Sequence, residues 1–409
     1  MENKKAIIIG CGVAGPTLAL ALNRAGIESE IYEAQTTPSN FGLLSLSTNG
    51  IQVLKMLNVY DDIQADDNGK IFFYNHAGKS IFSMDFGSFL KDKFGSGMII
   101  NRREEIIDAL TKKTISAGIK IEFGKKLVDV KENNDKVTAY FEDGTSAEGD
   151  FLIGCDGMRS KTRTTVFPEA VSPTYSGAIA VVAEVEKSTK HEMIPNAFHM
   201  TFGKQTFAGS AVGLDGRIIW WSYVRYPEKA INTELKKISP SEWTQKLLKL
   251  HKDDVQIKKF IKSSKDNYVI IPIYDLPHID TWHKGNVCLI GDAAHATSPH
   301  IGQGASFSLE DAIILAKCIR DIPNLDDSFK RFELMRKSRA EKLVREAQAS
   351  GNFVLMTNPI KKLFSRLFMS LMLRESTFRK RQNWIFSYKI DWNEKIQENE
   401  SKKKHMKGK

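Results

Sequence analysis

The sequence predicts an α/β fold made of a parallel-sheet domain, an inserted antiparallel sheet and a helical C-terminal region. Three observations predict it: a strand, glycine-rich loop, helix and strand at the start, two later apolar strands that each lead into an Asp-containing turn, and a β-rich stretch between those two strands. With 409 residues, 42% of them hydrophobic, the chain is long enough to bury a large core and to divide into two domains.

The first predicted element is a βαβ unit. Its opening strand is the apolar run from Lys5 to Ile9, its helix is the Ala- and Leu-rich segment from Pro16 to Arg24, and its second strand runs from Ser29 to Tyr32. Proline in the first turn of the helix costs little, because that position has no intrahelical partner for a backbone N–H. The order of the three elements predicts a parallel sheet.

The loop between the first strand and the helix has the pattern GxGxxG. It is formed by Gly10, Cys11, Gly12, Val13, Ala14 and Gly15. Such glycines permit a tight turn and a close approach of the backbone to a pyrophosphate. Glu33 lies 18 residues after Gly15, at the end of the second strand, where a carboxylate commonly binds ribose hydroxyls. Together these residues predict a Rossmann-like dinucleotide site, and the motif by itself does not distinguish NAD from FAD.

Two later strands also end in acidic turns. The apolar run from Asp150 to Cys155 leads into Asp156 and Gly157, and the apolar run from Val287 to Ile290 leads through a glycine into Asp292. Open α/β sheets bind ligands at the carboxyl ends of their strands, so Asp292 is placed to accept hydrogen bonds from a polyol.

A compact loop follows Asp292. Pro299, Gly302 and Gly304 keep its backbone tight before a predicted helix from Ala305 to Arg320. The free N–H groups and the positive dipole end of this helix can face an anion.

The sequence between the two acidic turns is rich in residues that favour β-strands. Residues 173–275 contain β-rich segments, among them Ala178 to Ala183, Ala197 to Phe202 and Arg217 to Val224, separated by Gly, Asp and Pro. We interpret this stretch as an antiparallel substrate domain. Segments 1–172 and 276–350 would then form the parallel-sheet domain, and residues 351–409 a C-terminal amphipathic helix and basic tail.

The order of these motifs resembles that of the class A flavoprotein monooxygenases, the single-component FAD-dependent aromatic hydroxylases. The resemblance covers about residues 5 to 350 and three ordered motifs. It implies an oxidoreductase with bound FAD that NADH or NADPH reduces, followed by reaction with O2 to a flavin hydroperoxide. The distal oxygen would pass to an aromatic or polycyclic small molecule.

The resemblance also implies roles for individual residues. The ADP half of FAD would be held by Gly10, Gly12, Val13, Ala14, Gly15 and Glu33. The ribitol would be bound by Gly291 and Asp292, and the isoalloxazine ring would be lined by Pro299, Gly302, Gln303, Gly304 and Ala305. Asp156 lies at a motif that the family associates with both FAD and the nicotinamide donor.

One arginine position has two candidates. The family commonly opens a helix with the pattern RxxLxxxL. Arg103 keeps the spacing to Ile106 and Leu110, whereas Arg102 fits the preceding strand better. Both are retained as candidates for FAD contact.

In the family the substrate lies between the inserted sheet and the flavin. Phe202, Trp221 and Tyr223 are therefore the candidates for the substrate pocket. No catalytic side chain is predicted, because the oxidising chemistry belongs to the cofactor. His295 is expected to orient its loop.

The sequence also departs from the family. Residues 34–43 contain none of the arginines that often follow the ribose-binding acid. A second GxGxxG unit, typical of Baeyer-Villiger monooxygenases, and the tryptophan motif of flavin halogenases are both missing. Two alternatives to an aromatic hydroxylase remain: a tetracycline-inactivating or other antibiotic-modifying flavin monooxygenase, and a flavin reductase or flavin-binding protein that does not oxygenate.

The net charge of +10 is concentrated at the C-terminal end. Residues 361–409 carry 14 Lys and Arg against 5 Asp and Glu. An amphipathic helix is predicted from Ile360 to Met372, followed by a solvated tail from Ser401 to Lys409. The pattern favours a helix docked on the body of the protein, with peripheral contact to anionic lipid as the alternative. Nucleic acid is not expected as a partner, since no aromatic residues interleave the basic ones.

The four cysteines show neither disulfide nor metal spacing. Cys11, Cys155, Cys288 and Cys318 lie in or beside apolar segments without a CxxC pattern, so we expect no disulfide and no metal. The first strand begins at Lys5, which leaves no room for a signal peptide, and no run reaches the ~18 apolar residues of a membrane span. A cytoplasmic protein is expected.

Overall fold

The computed structural model describes residues 4–37, 42–133, 135–185, 193–231, 233–276, 278–356 and 382–397. The strands are β1 (Lys5–Ile9), β2 (Glu28–Glu33), β3 (Leu43–Ser47), β4 (Lys70–Asn75), β5 (Ser80–Met84), β6 (Met98–Arg102), β7 (Lys120–Phe123), β8 (Leu127–Asn133), β9 (Lys136–Phe141), β10 (Ser146–Gly149), β11 (Phe151–Gly154), β12 (Thr174–Val185), β13 (Ala197–Phe202), β14 (Phe207–Val212), β15 (Ile218–Arg225), β16 (Val269–Asp275), β17 (His283–Lys284) and β18 (Val287–Leu289).

The helices lie between and after these strands. They are α1 (Ala14–Arg24), α2 (Thr48–Met56), α3 (Phe86–Phe94), α4 (Arg103–Ser116), α5 (Lys161–Val166), α6 (Glu228–Ile231), α7 (Pro240–Leu250), α8 (Val255–Ser263), α9 (Asp292–His295), α10 (Gly304–Asp321) and α11 (Leu325–Val354), with short 3-10 turns at Tyr60–Asp62, Leu235–Lys237 and Pro299–Ile301. Helix α1 begins two residues before the predicted start at Pro16, so its first turn includes Gly15.

A six-stranded sheet forms the half of the protein for which the sequence predicts a dinucleotide site. Its order is β17-β18-β11-β1-β2-β7, and every neighbouring pair except β17 and β18 is parallel. Strand β1 is apolar and almost completely buried, as expected for a strand covered on both faces. Because β1, β11 and β18 run in the same direction, the loops that carry Gly10, Asp156 and Asp292 meet at one edge of the sheet.

A seven-stranded sheet forms the other half. Its order is β16-β12-β15-β14-β13-β4-β5, with antiparallel pairs throughout except for the parallel pair β13 and β4. Strands β4 and β5 come from residues 70–84, outside the β-rich stretch 173–275. Side chains alternate between the two faces of a strand. One face packs beneath α7 and α8 around Trp220, Trp243 and Phe260, while the other carries Trp221 and Tyr223 toward the parallel sheet.

Helices α10 and α11 connect the two halves. Helix α10 packs against α1 and α2, and α11 packs against α10 and the 3-10 turn at Pro299–Ile301. Smaller sheets, β10-β9-β8 and β3-β6, complete the body. Among the helices that the structure describes, none is both long and apolar enough to cross a membrane.

The described part of the C-terminal region packs on the body. Residues 382–386 are helical, and the Ile385 and Phe386 side chains are buried against α3 and α10 residues such as Phe86 and Phe307. Further on, the guanidinium of Arg320 lies 4.6 Å from the ring centroid of Trp392. The helix predicted from Ile360 to Met372 and the tail from Ser401 to Lys409 lie outside the described residues.

Candidate active site

A cavity of about 1570 Å³ lies between the two large sheets. Most of the residues predicted for the site line it. They are Gly10, Gly12, Val13, Ala14, Glu33, Arg103, Asp156, Asp292, Pro299, Gly302, Gln303, Gly304, Ala305, Phe202, Trp221 and Tyr223. Arg102, Gly15 and Gly291 are not among its lining residues. The structure thus brings segments separated by nearly 300 positions to one space.

The glycine-rich loop leaves room for a ligand at one position and none at two others. A Cβ atom on Gly10 would lie 2.5 Å from the carbonyl oxygen of Cys155, and one on Gly15 would lie 2.0 Å from the carbonyl oxygen of Gly10. A Cβ on Gly12 would meet no atom within 4 Å. The backbone around Gly12 therefore faces open space in the cavity, as a loop that accommodates a pyrophosphate must.

Glu33 is bound to the same loop. Its Oε2 atom accepts a hydrogen bond of 2.7 Å from the Cys11 N–H, and its Oε1 atom accepts one of 2.8 Å from the Gln35 N–H. The carboxylate is therefore held beside the loop at the carboxyl end of β2.

Asp156 is anchored at the start of helix α5. Its carboxylate accepts hydrogen bonds from the Ser160 hydroxyl at 2.6 Å and from the Thr162 N–H at 2.9 Å. The buried Arg163 completes this turn by donating to the carbonyl oxygens of Met158 at 2.7 Å and Ala293 at 2.8 Å. Arg163 thereby joins the Asp156 turn to the Asp292 turn, a role that the sequence did not reveal.

Asp292 lines the cavity, and its side chain is exposed there. The protein atoms around the carboxyl group reduce its hydration and raise the pKa of Asp292, an effect that the charges of His295 and Arg103 oppose. Arg103 is therefore close enough to interact electrostatically with Asp292. The guanidinium of Arg102 instead pairs with Glu104 at 2.5 Å. The two arginines end up in different surroundings because β6 ends at Arg102 and α4 begins at Arg103.

Buried charges fix the turn that follows Asp292. Asp311 of α10 accepts a hydrogen bond from the Gly291 N–H at 3.0 Å and lies 2.5 Å from His295 Nε2. Arg336 of α11 donates to the other oxygen of Asp311 at 2.6 Å. Burial raises the pKa of Asp311, but His295 and Arg336 outweigh it and hold the value at about 2. The contacts of His295 are those of a side chain that positions its loop.

Helix α10 begins at the cavity. Gly304 and Ala305 line it, and the helix continues for 18 residues into the core. Its first N–H groups have no intrahelical acceptors, and its positive dipole end faces the cavity. Gln303, just before the helix, donates to the Ser47 hydroxyl at 3.0 Å, which ties the loop to β3.

The seven-stranded sheet supplies an aromatic wall. Phe202, Trp221 and Tyr223 project from β13 and β15, and Tyr223 stacks on Phe207 at 6.1 Å between ring centroids. Trp221 meets Phe198 edge-on at 6.2 Å. Burial raises the pKa of Tyr223, which keeps its hydroxyl protonated at neutral pH.

Other lining residues lacked a sequence signal. Ile71 and Phe73 come from β4, Ser350 and Phe353 from α11, and His300 from the turn before α10. The β4 strand lies in the first predicted segment, and α11 shows only an ordinary helical pattern. Their proximity to the cavity depends on the pairing of β4 with β13 and on the packing of α11.

A hydrogen-bonded Ser, His and Asp set lies elsewhere in the same sheet. Ser222 Oγ is 2.7 Å from His251 Nε2, and His251 Nδ1 is 2.7 Å from Asp254 Oδ2. All three side chains are at most 1% exposed. Ser222 alternates with the cavity-lining Trp221 and Tyr223, so it points to the opposite face, where substrate has no access. The set ties β15 to the segment between α7 and α8.

The chain is similar to known proteins over most of its length. The sequence profile of the family described as FAD binding domain matches residues 3–347. Aurachin C monooxygenase/isomerase from Stigmatella aurantiaca is 27% identical over 355 residues, covering 84% of this chain and 88% of its own. FAD-dependent urate hydroxylase from Klebsiella oxytoca is 27% identical over 363 residues, with the same two coverages.

The fold is also similar to a solved structure. Klebsiella pneumoniae HpxO, complexed with FAD and uric acid, superimposes with a TM-score of 0.82 at 24% identity, covering 94% of this chain and 96% of that one. The likeness covers 94% of this chain and confirms the α/β fold predicted from the sequence.

Proposed function

The chain belongs to the FAD binding domain family and is an FAD-dependent monooxygenase, and we propose that it uses NADH or NADPH and O2 to hydroxylate an aromatic or polycyclic small molecule. The substrate would lie in the cavity between the seven-stranded sheet and the loops at the edge of the parallel sheet.

The observation that carries the proposal is the single continuous cavity. Its volume of about 1570 Å³ exceeds the ~300–1,000 Å³ of a typical small-molecule pocket. One end is lined by the glycine-rich loop and Glu33, and the other by the aromatic wall of β13 and β15. The cavity therefore has space for a dinucleotide and a second molecule side by side.

The residues present fit FAD. The open backbone at Gly12 would face the pyrophosphate with Arg103 as the nearby cation, Glu33 would bind the ribose of the ADP half, and Asp292 would bind the ribitol. Asp156 and Arg163 would hold the Asp156 turn and the Asp292 turn in a fixed position relative to each other. Bound FAD would supply the redox chemistry, taking electrons from the nicotinamide donor and delivering one oxygen atom of O2 to the substrate.

The chain's own contribution is electrostatic and positional. The amino end of α10 would stabilise negative charge on the flavin ring through Gly304, Ala305 and the helix dipole. The ion pairs of Asp311 with His295 and Arg336 hold that helix end against the Asp292 turn. The aromatic wall would orient the substrate and exclude water from the reacting atoms.

The first test concerns the cofactor. The purified protein should be yellow, with FAD bound noncovalently, and Asp292→Ala should weaken FAD binding by roughly 1.5 to 3 kcal/mol, since a charge-assisted hydrogen bond is lost. Asp215→Ala, at the turn between β14 and β15, is the control and should bind FAD normally. If the wild-type protein is colourless and does not take up added FAD, the proposal is contradicted.

The second test concerns the reaction. NADH or NADPH loss, H2O2 release and transfer of ¹⁸O from O2 into product should be followed with phenolic, polycyclic and tetracycline substrates. Oxygen label in a phenolic or polycyclic product supports the proposal, and label in tetracycline alone supports an antibiotic-modifying enzyme. Rapid oxidation of the donor without label in any product would favour a reductase.

The four cysteines give information about the cellular compartment of the enzyme. Cys11, Cys155, Cys288 and Cys318 are free thiols in the structure. Free thiols are typical of a reducing environment, where NADH and NADPH are also available. We therefore propose a cytoplasmic location.

A further inference from the structure

His300 has an unusual position in the wall of the cavity. It lies in the 3-10 turn at Pro299–Ile301, directly before α10, and its ring centroid is 4.6 Å from that of Tyr223 in an edge-on contact. Both ring nitrogens are buried and neither has a hydrogen-bond partner within the described residues. Buried polar groups in proteins are nearly always paired, so two unpaired nitrogens in a ligand cavity indicate that a ligand supplies the partner.

The ring is held where it is by the backbone of α11. A Cβ atom on Gly351 would lie 2.7 Å from His300 Cδ2 and 2.8 Å from Nε2. The imidazole therefore occupies the space that any side chain at position 351 would need. With Tyr223 on one side and Gly351 on another, its nitrogens have a fixed place in the cavity wall.

The imidazole is neutral at physiological pH. Burial lowers the pKa of His300 to about 4. A neutral imidazole offers one N–H donor and one nitrogen acceptor. It can therefore accept a hydrogen bond from a hydroxyl or ring N–H without a charge of its own, and it does not attract an anion.

The distribution of charged residues in the cavity lining also favours an uncharged ligand next to His300. In the described part of the chain, the basic lining residues are Arg103, Lys125, Lys126, Arg159 and Lys161. All of them belong to the dinucleotide-binding half. On the strands that face His300 the lining is aromatic, with Phe198, Phe202 and Trp221, and the charged lining residue of the neighbouring helix α11 is acidic Glu346. A carboxylate there would lose its hydration without gaining a cation, which is costly.

We propose that His300 is the substrate-recognition residue of this site, and that it selects a neutral fused-ring aromatic molecule whose hydroxyl or ring N–H donates a hydrogen bond to the imidazole. This inference rests on the proposed function, since it assigns the substrate to the same cavity. Aromatic faces of the sheet would hold the ring system by stacking, while His300 would fix its orientation.

The test measures binding without turnover. Oxidised holoenzyme, with no NADH or NADPH present, is titrated with 2-naphthol, naphthalene and 2-naphthoate, and the absorbance change of the bound flavin reports occupancy. The three probes share one ring system and differ in having a neutral donor, no polar group or a carboxylate. Wild-type enzyme should bind 2-naphthol at least tenfold more tightly than naphthalene, and 2-naphthoate no more tightly than naphthalene.

Substitutions then assign the preference to His300. His300→Phe keeps an aromatic ring against Tyr223 and removes both nitrogens, so the ratio of the naphthalene and 2-naphthol dissociation constants should fall to within about twofold of unity. His300→Gln, which retains an acceptor and a donor, should recover part of the preference. Gly351→Ala should lower the ratio by displacing the ring. Phe202→Leu is the matched control, because it alters the apolar wall and should change both affinities while leaving their ratio intact.

Three results would overturn the inference: an unchanged ratio in His300→Phe, tighter binding of 2-naphthoate than of 2-naphthol, or no binding of any probe to wild-type holoenzyme. These results are distinguishable from a failure of the proposed function. An enzyme that shows the predicted binding ratios but incorporates no oxygen retains the recognition site and loses the hydroxylase assignment.

Discussion

His295 Nε2 and Asp311 Oδ2 lie 2.5 Å apart inside the protein, and this contact connects the turn that carries Asp292 to helix α10. Asp311 is also paired with Arg336 of α11 at 2.6 Å. Two helices and one loop of the cavity therefore depend on the same carboxylate. Arg336 is completely buried and also pairs with Glu310 at 2.6 Å, so removing the charge of Asp311 leaves its guanidinium with one buried carboxylate instead of two and no access to water.

This arrangement predicts a large effect of a single substitution. Replacing Asp311 by Asn should lower the free energy of unfolding by about 3 to 5 kcal/mol, because it leaves buried Arg336 with less compensating charge. Urea denaturation of both proteins measures the difference. The control is Lys330→Gln, which removes the exposed pair of Lys330 with Asp326 and should cost at most about 1 kcal/mol. Equal effects of the two substitutions would contradict the structural role of Asp311.

The two adjacent arginines give a matched pair of variants. Arg103→Met should raise the FAD dissociation constant at least tenfold, because Arg103 lines the cavity and interacts with Asp292. Arg102→Met should change it less than threefold, since the Arg102 guanidinium is paired with Glu104. Quenching of FAD fluorescence on addition of apoprotein measures both constants. A larger effect for Arg102 would reverse the assignment.

Substitutions of Gly304 test whether the flavin lies close to the amino end of α10. A Cβ atom there would lie 3.6 Å from Thr297 and 3.8 Å from Asp292, which are ordinary contacts. Gly304→Ala should therefore fold and bind FAD, whereas the branched side chain of Gly304→Val should occupy part of the cavity and slow flavin reduction by NADH or NADPH by at least tenfold. Stopped-flow absorbance measures the reduction rate. If Val at this position reduces as fast as Ala, the helix end is not close to the flavin.

The pKa of His300 predicts a pH dependence of stability. The folded value is about 4, below the ordinary value of 6.5, so the unfolded chain binds more protons between these two values. Stability should therefore decrease as pH falls from 6.5 to 4, with a contribution from His300 of about 3 kcal/mol at the lower end. His300→Phe should remove this contribution. Comparing urea denaturation of the two proteins at pH 7 and pH 4.5 tests it, and parallel losses of stability would show that His300 is not responsible.

Much of the site could be predicted from local sequence. The glycine-rich loop, Glu33, Asp156 and Asp292 each follow directly from a strand, and the carboxyl ends of parallel strands meet at one edge of a sheet. A short segment is sufficient to specify such a position, because the geometry of a βαβ unit is nearly constant. The aromatic candidates Phe202, Trp221 and Tyr223 follow from the family resemblance, which places the substrate against the inserted sheet, and all three line the cavity.

Other features required the tertiary structure. Arg103 and Arg102 could not be separated from spacing, because a shift of one residue at the start of a helix reverses which of them turns inward. The contacts of Arg163 with the Asp292 turn, of Arg336 with Asp311, and of His300 with Gly351 join residues that are 25 to 130 positions apart.

The sequence by itself therefore determined the fold class and the order of the motifs, because each strand with its turn is a local pattern, and the family resemblance that this order carries implied FAD. The tertiary structure alone decided which charges are buried together, that strands from residues 70–84 complete the aromatic wall, and that the imidazole of His300 has no hydrogen-bond partner among the described residues. Those properties depend on how helices and sheets pack against one another. Packing is set by contacts between distant residues, and no local pattern encodes them.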